Sequence, residues 1–415
     1  MDKFTTPLDP KDLLLANVAI RIQLSPTNHK LAVQRLETLA ERLDRAESPL
    51  AGKVRVVYAQ GSMAIHATIA PALRYDEFDV DGIVQMELPP GTTPQQALDT
   101  LFEAVRGEPG SRYYAMTKRN TRCVTVQYAE MHVDLTPAEL VPGRNPRVSE
   151  IFHHRPEEPR DDGKRVVANP FGFAEWFNEV TPRFRGFEEF YEGQSRALDR
   201  RSKAETEDVP EPVPAYLKPP AVIALQLIKR FRNVRYDRRD GRQPPSVMLA
   251  CLVANFAGQS GTPYGELLHQ ARSLRRHFEQ LQTGGQLIHV ANPRCPDDVF
   301  TDRWPANLNE QGLFLQDLAY LVGQLERIEH DAPLEVIADV FARLFGEEIA
   351  STVIREFADS TGRQIERHGL ITDYRGGRVD IGRSGIGASS ASAAAIVSPT
   401  VVRATPKHTF FGHDD

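Results

Sequence analysis

The sequence predicts an α+β protein in which a sheet-forming part is followed by a larger helical part. Between residues 50 and 140, short apolar runs with strand periodicity alternate with a helical pattern. From about residue 171 onward, apolar residues recur mainly at steps of three and four, which indicates helices. The length of 415 residues favours two or three structural units over a single domain.

The helical periodicity begins near the N-terminus. It predicts one helix over residues 11–24 and a second over 28–46, with Thr27 as the N-cap of the second. The sheet region then predicts strands over 53–59, 78–86, 123–128 and 131–135, with a helix over 93–105 between them. The helical region predicts helices over 173–180, 219–235, 245–256, 264–281, 310–325, 333–345 and 347–357.

Three stretches lack such periodicity. Residues 155–164 and 202–213 are rich in charge and Pro, and we interpret both as loops. Residues 383–395 are small and of low complexity, and they cannot bury enough surface to fold.

Composition excludes several classes of protein. Apolar residues make up 41% and charged residues 26%, which is typical of a folded globular chain and unlike collagen or a disordered polymer. With 50 basic and 56 acidic residues, the chain as a whole lacks the positive net charge that favours binding to nucleic acid. No run approaches the roughly 20 apolar residues of a membrane span. The three cysteines, far apart, indicate neither a zinc ribbon nor a disulfide framework. We therefore expect a cytoplasmic protein without a membrane partner.

The pair Gly61–Ser62 is a candidate phosphate seat. It follows a predicted strand and opens a predicted helix, so free backbone N–H groups converge there. Gly61 lets the backbone approach a ligand closely, and the Ser62 hydroxyl can reach a phosphate oxygen. A Gly-Ser pair is usually part of an ordinary turn, so it indicates a phosphate-binding site only in combination with other residues.

Three carboxylates elsewhere in the sequence support this interpretation of Gly61–Ser62. Asp79 and Asp81 alternate with apolar residues in one predicted strand, so their side chains share a face. Asp134 lies in another short apolar strand, where burial without a cation is costly. A lone pair of this kind is most often a solvated strand edge. Three such acids opposite a phosphate seat suit two Mg²⁺ ions that promote nucleotidyl transfer, with Mn²⁺ as an alternative ion.

The motifs and their order resemble the cGAS/DncV-like nucleotidyltransferases (CD-NTases), relatives of oligoadenylate synthetase in the polymerase-β-like superfamily. The resemblance covers roughly residues 10–360. It is carried by Gln60-Gly61-Ser62, Thr68, Glu77-Phe78-Asp79-Val80-Asp81, His132-Val133-Asp134, Asn169-Pro170-Phe171-Gly172, Leu225 to Arg232 with Lys229, Pro244-Pro245-Ser246, Asn292-Pro293 and Trp304.

This resemblance implies a polymerase-β-like catalytic lobe with a mixed sheet over residues 1–165, an oligoadenylate-synthetase-like helical lobe over 166–380 with a cleft between the two lobes, and a flexible tail over 381–415. It implies that Asp79, Asp81 and Asp134 hold magnesium and carry out catalysis, with Asp134 nearest the attacking hydroxyl. Gln60, Gly61, Ser62, Lys229 and Asn169 are then the expected nucleotide-binding residues. Without the resemblance, Lys229 is best interpreted as a surface helix lysine.

The implied activity is synthesis of a cyclic di- or trinucleotide from nucleoside triphosphates, with ATP the expected substrate, in bacterial anti-phage (CBASS) signalling. Two other functions use the same residues: linear oligoadenylate-type or protein, tRNA or small-molecule nucleotidyl transfer, and a non-catalytic nucleotide-binding scaffold. The basic run over 229–242 is not expected to bind an obligatory nucleic-acid activator, because the zinc insertion of animal cGAS is missing. The tail, with Phe410 and Phe411, is interpreted as a free end, as a ligand of a HORMA-type regulator or as a substrate of an E1/E2-like conjugating enzyme.

Overall fold

The computed structural model describes residues 9–24, 26–70, 78–129, 131–144, 147–157, 162–181, 218–258 and 260–368. Within these ranges, seven strands form one mixed sheet. The strands are β1 (Val54–Ala59), β2 (Phe78–Met86), β3 (Thr117–Arg119), β4 (Val124–Gln127), β5 (Met131–Leu140), β6 (Ser149–His153) and β7 (Lys164–Ala168).

The order along the sheet is β1-β2-β5-β4-β3, and β6 and β7 extend it from the far end of β5. β2 and β5 run parallel, and the other neighbours are antiparallel. The parallel pair places two strands that are about 50 residues apart in the chain side by side, which fixes the candidate site.

Eleven helices are described in these ranges. They are α1 (Pro10–Ile22), α2 (Pro26–Leu43), α3 (Gly61–Ala64), α4 (Pro94–Arg106), α5 (Pro170–Val180), α6 (Pro220–Tyr236), α7 (Ser246–Asn255), α8 (Pro263–Thr283), α9 (Leu308–Glu326), α10 (Leu334–Phe345) and α11 (Glu347–His368). A small hairpin of β8 (Ala291–Asn292) and β9 (Cys295–Val299) lies between α8 and α9.

Two large hydrophobic cores hold these elements. One lies between the sheet and helices α2 and α4, with Leu39, Val84 and Val133 fully buried. The other is formed by the helices of the second half together with α1, whose Leu14, Leu15 and Val18 are completely buried there. Although α1 precedes the sheet in the chain, it therefore packs with the helical part.

Most predicted elements agree with the structure within a few residues, with some exceptions. Helix α11 continues to His368 instead of ending at residue 357, and strand β5 continues to Leu140 instead of ending at residue 135. Helix α2 begins at Pro26, so Thr27 lies inside its first turn and is not an N-cap. Strands β3, β6 and β7 and the β8–β9 hairpin were not predicted. The expected loop over 155–164 ends at β7, where Arg165 pairs with Glu139 and Glu150 on the polar face of β5 and β6. The loop expected over 202–213 and the tail lie outside the described residues.

None of the described helices combines the length and the apolar character that crossing a lipid bilayer requires.

Candidate active site

The three predicted carboxylates lie on two adjacent strands. Asp81 on β2 is paired directly with Asp134 on β5, and Asp79 is paired with His132 two residues earlier. Because side chains two residues apart in a strand share a face, all three carboxylates project to the same side of the sheet. The opposite side carries Val80 and Val133, which are buried in the sheet core.

Asp134 is held by its neighbour on the next strand. Thr125 of β4 is paired with Asp134 across the sheet, and its hydroxyl donates a hydrogen bond to Asp134 Oδ1. Asp79 is the most exposed of the trio, with a side chain 81% exposed and Oδ1 4.0 Å from His132 Nδ1. The three acids therefore differ in their surroundings: Asp79 is exposed to solvent, whereas Asp134 is held in place by a hydrogen bond within the sheet.

Asp81 has a strongly perturbed pKa. Burial, together with the charges of Asp134 and Asp79, raises the pKa of Asp81 to about 7, and Lys229 opposes this shift. The closeness of three like charges is costly unless a cation or a proton neutralises part of them.

The predicted phosphate seat lies directly above Asp81. The backbone N–H of Gln60 donates to the Asp81 carbonyl at 2.9 Å, which ties the start of α3 to β2. Gly61 has a φ of +58°, and a Cβ at this position would lie 2.9 Å from Asp81 Oδ2. Only glycine satisfies both the positive φ and the close approach of the carboxylate.

Helix α3 is shorter than the sequence suggested, since it comprises only the four residues Gly61–Ala64. A single turn has little macrodipole, so any phosphate binding here would depend on the local N–H groups and on the Ser62 hydroxyl.

A cavity of about 550 Å³ lies between the sheet and the helices. It is lined from the sheet side by Gly61, Ser62, Thr68, Asp79 and Asp81. From the helical side it is lined by residues of α6 and α7, among them Lys229, Arg232, Tyr236 and Ser246. The structure thus brings together Ser62, two of the acids and Lys229 in one cleft. Gln60, Asp134 and Asn169 do not line this cavity.

Helix α6 holds the backbone that follows the phosphate seat. Lys229 Nζ donates to the Ala67 carbonyl at 2.8 Å, and Gln226 Nε2 donates to the Thr68 carbonyl at 2.7 Å. Both side chains are buried in the helical core. Burial, together with the charge of Arg232, lowers the pKa of Lys229 to about 7, and Asp81 opposes this shift. Lys229 therefore belongs to the cleft wall and is not the surface lysine that its sequence context alone would favour.

Asn169 has a different position from the one expected for a nucleotide ligand. Its side chain accepts a hydrogen bond from the Gly172 N–H and caps helix α5. Its backbone N–H donates to Asp298, and its carbonyl accepts from Asn292. The side chain is buried at a joint between α5 and the β8–β9 hairpin, so the structure gives Asn169 a structural role. Gln60 likewise contributes its backbone to positioning α3.

Most of the basic run over 229–242 is engaged inside the protein. Arg230 donates to the Phe345 carbonyl, and Arg232 donates to the Pro244 carbonyl and to Ser246. Arg235 and Arg239 both pair with the buried Asp317. The run is therefore largely a set of structural contacts.

Sequence reasoning missed Thr125, Gln226 and Arg232 as parts of the site. A signal for each exists in retrospect. Thr125 is a polar residue in a short apolar strand. Gln226 and Arg232 lie in a helix whose residues 220–232 are all buried, so their polar groups must find partners inside the protein.

The donor chemistry of the site fits magnesium, which prefers carboxylate, phosphate and water oxygens. Among the described residues, no three His, Cys, Asp or Glu side chains are arranged to hold a metal ion by themselves. The fit is therefore to a cation that completes its shell with substrate phosphates and water. The acid crowding around Asp81 and the absence of a Cβ at Gly61 leave room and charge for such an ion.

Comparisons with known proteins bear on the family and the fold. A family model described as the Second Messenger Oligonucleotide or Dinucleotide Synthetase domain matches residues 14–146. The chain is 36% identical over 371 residues to a cyclic dinucleotide synthase, CdnG, of Bradyrhizobium diazoefficiens. This alignment covers 87% of this chain and 87% of the relative. It is 24% identical over 341 residues to a c-di-GMP synthase of Roseivirga ehrenbergii, covering 80% of this chain and 84% of the relative.

A solved structure of the Bradyrhizobium diazoefficiens CD-NTase CdnG in complex with GTP superimposes with a TM-score of 0.72. The match has 34% sequence identity and covers 84% of this chain and all of that chain. It confirms the predicted α+β nucleotidyltransferase fold.

Proposed function

We propose that this chain, which belongs to the cGAS/DncV-like nucleotidyltransferase (CD-NTase) family, joins two ribonucleoside triphosphates into a cyclic dinucleotide and releases pyrophosphate. It is an enzyme of the nucleotidyltransferase class. The observation that carries the proposal is the shared cleft, in which Gly61 and Ser62 lie beside Asp79 and Asp81, with Asp134 paired to Asp81.

Each step of the reaction forms one P–O bond and breaks another. A ribose hydroxyl of one nucleotide attacks the α-phosphorus of the other, the α–β phosphoanhydride breaks, and pyrophosphate leaves while the hydroxyl proton is lost. A second round within the linear intermediate closes the ring.

The residues divide this work. Asp79, Asp81 and Asp134 would hold two Mg²⁺ ions, or Mn²⁺, which when bound supply activation of the attacking hydroxyl and neutralisation of phosphate charge. Asp134, fixed by Thr125, would be the acid nearest the attacking hydroxyl. The N–H groups of Gly61 and Ser62 and the Ser62 hydroxyl would bind the triphosphate of the donor nucleotide. Lys229 would add positive charge from α6 and keep residues 67–68 in place.

The relatives favour guanine nucleotides. The sequence led us to expect ATP, but one relative is a c-di-GMP synthase and the solved CdnG holds GTP. We therefore propose GTP as a substrate, with a cyclic dinucleotide as the product instead of a trinucleotide. A cytoplasmic role in anti-phage signalling belongs to the same proposal. A HORMA-type regulator or an E1/E2-like enzyme acting on the tail remains a prediction for residues 381–415, which lie outside the described residues.

The test is a product assay. Purified protein is incubated with GTP, ATP and Mg²⁺, treated with phosphatase and analysed by mass spectrometry. We expect a phosphatase-resistant cyclic dinucleotide that contains guanine. The double variant Asp79→Asn/Asp81→Asn should reduce its formation by about 10³-fold, because the metal-binding oxygens are lost. Its melting temperature should change little, since removing crowded acids relieves repulsion.

Asp339→Asn serves as the control, because Asp339 pairs with Arg327 and Arg343 on the helical surface, away from the cleft. A product that is only linear would assign oligoadenylate-type synthesis. Transfer of a nucleotide to a protein, tRNA or small molecule would assign the other transferase class. Metal-dependent nucleotide binding without turnover would assign a scaffold.

A further inference from the structure

We propose that a basic groove beside the catalytic cavity binds the 5′-triphosphate of the acceptor nucleotide, the one whose ribose hydroxyl attacks. The basic groove is the cavity lined by Arg242, Arg303 and Trp304, and Arg122 lies beside it, bound to the Asp302 carboxylate next to Arg303. This inference rests on the proposed function and deepens it, because it assigns three residues of this chain to one of the two substrates.

The groove is a cavity of about 440 Å³ lined by Arg242, Arg303 and Trp304, among others. Tyr236 and Gln243 line both this cavity and the catalytic one, so the two adjoin. A ligand in the catalytic cleft that reaches Tyr236 and Gln243 therefore also reaches the edge of the groove.

The three arginines come from both halves of the protein. Arg122 lies between β3 and β4, Arg242 lies between α6 and α7, and Arg303 follows β9. Asp302 accepts from Arg122 at 3.0 Å and lies 3.7 Å from Arg303. Arg122 and Arg303 thus share one carboxylate, and no ion pair of Arg242 is found among the described residues. The guanidinium groups outnumber the carboxylate that contacts them, which leaves the groove with positive charge.

The mutual influence of these charges shows that the cluster is tight. Burial lowers the pKa of Arg303, and the charges of Arg122 and Arg242 lower it further. The pKa of the buried His153 falls to about 4 because of burial and of the charges of Arg122 and Arg303. An anion in the groove would relieve this repulsion.

Two buried donors, one on the groove lining and one beside it, lack partners. Trp304 Nε1 and Arg122 Nε are both buried, and neither has a hydrogen-bond partner among the described residues. Trp304 is 1% exposed and lines the groove. A buried donor without an acceptor is costly, and phosphate oxygens are acceptors of the kind these donors lack.

The position of the groove selects the acceptor nucleotide over the donor. The proposed donor seat, Gly61–Ser62, lies on the β1–β2 side of the acids. Arg303 lies against Asp302, which binds Arg122 in the turn between β3 and β4, and Thr125 of β4 binds Asp134. The groove therefore lies on the β5–β4 side, beyond the acid expected nearest the attacking hydroxyl. A nucleotide with its ribose hydroxyl at Asp134 would carry its 5′-phosphates away from the donor seat.

The groove is also prearranged and short. Arg232, which is buried, donates to the Pro244 carbonyl at 2.7 Å and to Ser246 Oγ at 3.0 Å, and so fixes the loop that carries Arg242. The arginines farther along α6 are paired with Asp317. The exposed charge is thus confined to a site of the size of a phosphate chain and does not continue as a track for a nucleic-acid backbone.

The first test separates the two substrates. The donor is 2′,3′-dideoxy-GTP, which cannot accept, and the acceptors are guanosine and guanosine 5′-(α,β-methylene)triphosphate, which cannot donate. Formation of the linear dinucleotide is followed by mass spectrometry. In the wild-type protein we expect KM to be at least about tenfold lower for the triphosphate acceptor than for guanosine. In Arg242→Gln/Arg303→Gln this difference should shrink to within about threefold, with KM for the donor and for guanosine unchanged.

The second test needs no turnover. Binding of inorganic tripolyphosphate is measured by calorimetry in EDTA, where the unshielded acids repel phosphate at the donor seat. We expect the double variant to bind at least about tenfold more weakly than the wild-type protein. Arg343→Gln, at an exposed ion pair with Asp339, is the matched control and should bind as the wild-type protein does.

Three results would overturn the assignment. The double variant could bind tripolyphosphate as tightly as the wild-type protein, or the acceptor KM could stay unchanged. Duplex DNA could also displace tripolyphosphate with a steep salt dependence and raise turnover, which would make the groove a nucleic-acid surface. If the wild-type protein transfers to neither acceptor yet binds tripolyphosphate through Arg242 and Arg303, the proposed function fails while the phosphate site stands.

Discussion

Gly61 connects the backbone conformation of the candidate site to its catalytic chemistry. Its φ of +58° is accessible to glycine at little cost, and its missing Cβ leaves space for the Asp81 carboxylate. A side chain here would therefore disturb both the strand–helix turn and the most buried acid. Gly52, with a φ of +65°, has the same backbone requirement, but no other atom lies within 4 Å of the point that a Cβ would occupy there.

This pair of glycines yields a matched prediction. Gly52→Ala and Gly61→Ala should each lower the free energy of unfolding by about 1–2 kcal/mol, the cost of an L-residue in the left-handed region. Only Gly61→Ala should also reduce product formation, by about 100-fold or more, because its Cβ displaces Asp81. Chemical denaturation and the product assay provide the measurements. Equal activity of the two variants would show that the close approach to Asp81 is not needed for turnover.

Asp12 gives a prediction about pH and stability. Its side chain accepts a hydrogen bond from the Tyr264 N–H at 2.8 Å, and burial raises its pKa from 3.8 to about 6. The folded state therefore holds this proton more tightly than the unfolded state, so the contribution of Asp12 to stability falls as the pH rises from about 4 to about 6. Above pH 6 the charged carboxylate of Asp12 lowers the free energy of unfolding by a constant amount.

Asp12→Asn should remove this cost while keeping the acceptor for Tyr264. We expect the variant and the wild-type protein to have equal stability near pH 3.5, and the variant to be more stable by roughly 1–3 kcal/mol at pH 7. Urea denaturation at several pH values measures the difference. A stability difference that does not vary between pH 4 and 7 would contradict the raised pKa.

At the scale of elements, β2 was the easiest to predict and β7 among the hardest. In β2 the acids alternate with buried residues such as Val80 and Val84, so the period of two is visible. In β7 the first two residues, Lys164 and Arg165, are charged and exposed, and the strand exists because it pairs with β6 and because Arg165 meets Glu139 and Glu150. That stabilisation comes from distant parts of the chain and leaves no local periodicity.

The residues of the candidate site likewise differ in how far the local sequence predicts them. Asp79, Asp81, Gly61 and Ser62 could be predicted because their spacing and local strand pattern are visible in the sequence. The roles of Gln226 and Asn169 could not, because they depend on partners 158 and 123 residues away, at Thr68 and Asn292.

The reassignment of Asn169 to a structural role can be tested on helix α5. Asn169→Ala removes the hydrogen bond from the Gly172 N–H that caps this helix. We expect the free energy of unfolding to fall by about 1–2 kcal/mol, as for other lost N-caps. KM for the nucleotide should remain within about twofold of the wild-type value, because the side chain does not line the cleft. A tenfold rise in KM with unchanged stability would restore Asn169 as a nucleotide ligand.

At the scale of the whole molecule, the segment after the phosphate seat joins the two cores. Met63 is buried in the sheet core, whereas Ile65 and Ala67 are buried in the helical core. Lys229 and Gln226 then hold the carbonyls of Ala67 and Thr68. Because the cleft is lined from both sides of this junction, a bound nucleotide should stabilise both cores together.

Binding of nucleotide and metal should therefore be mutually dependent. Among the described residues no three side chains hold a metal by themselves, and the acids repel a bare triphosphate. We expect millimolar Mg²⁺ alone, or GTP in EDTA, to raise the melting temperature little. The two together should raise the free energy of unfolding by about 2–3 kcal/mol at a nucleotide concentration near 100 times Kd. A non-cleavable GTP analogue with Mg²⁺ allows this to be measured without turnover.

Two variants test which residues make metal binding and nucleotide binding depend on each other. Asp79→Asn/Asp81→Asn should lose the stabilisation that requires both ligands, whereas Asp339→Asn should keep it, since Asp339 lies in an exposed ion pair. A large stabilisation by Mg²⁺ alone would mean that the acids form a complete metal site without the nucleotide. Full stabilisation by the analogue in EDTA would mean that Gly61, Ser62 and Lys229 bind the triphosphate without a cation, and the role proposed for the three carboxylates would then be wrong.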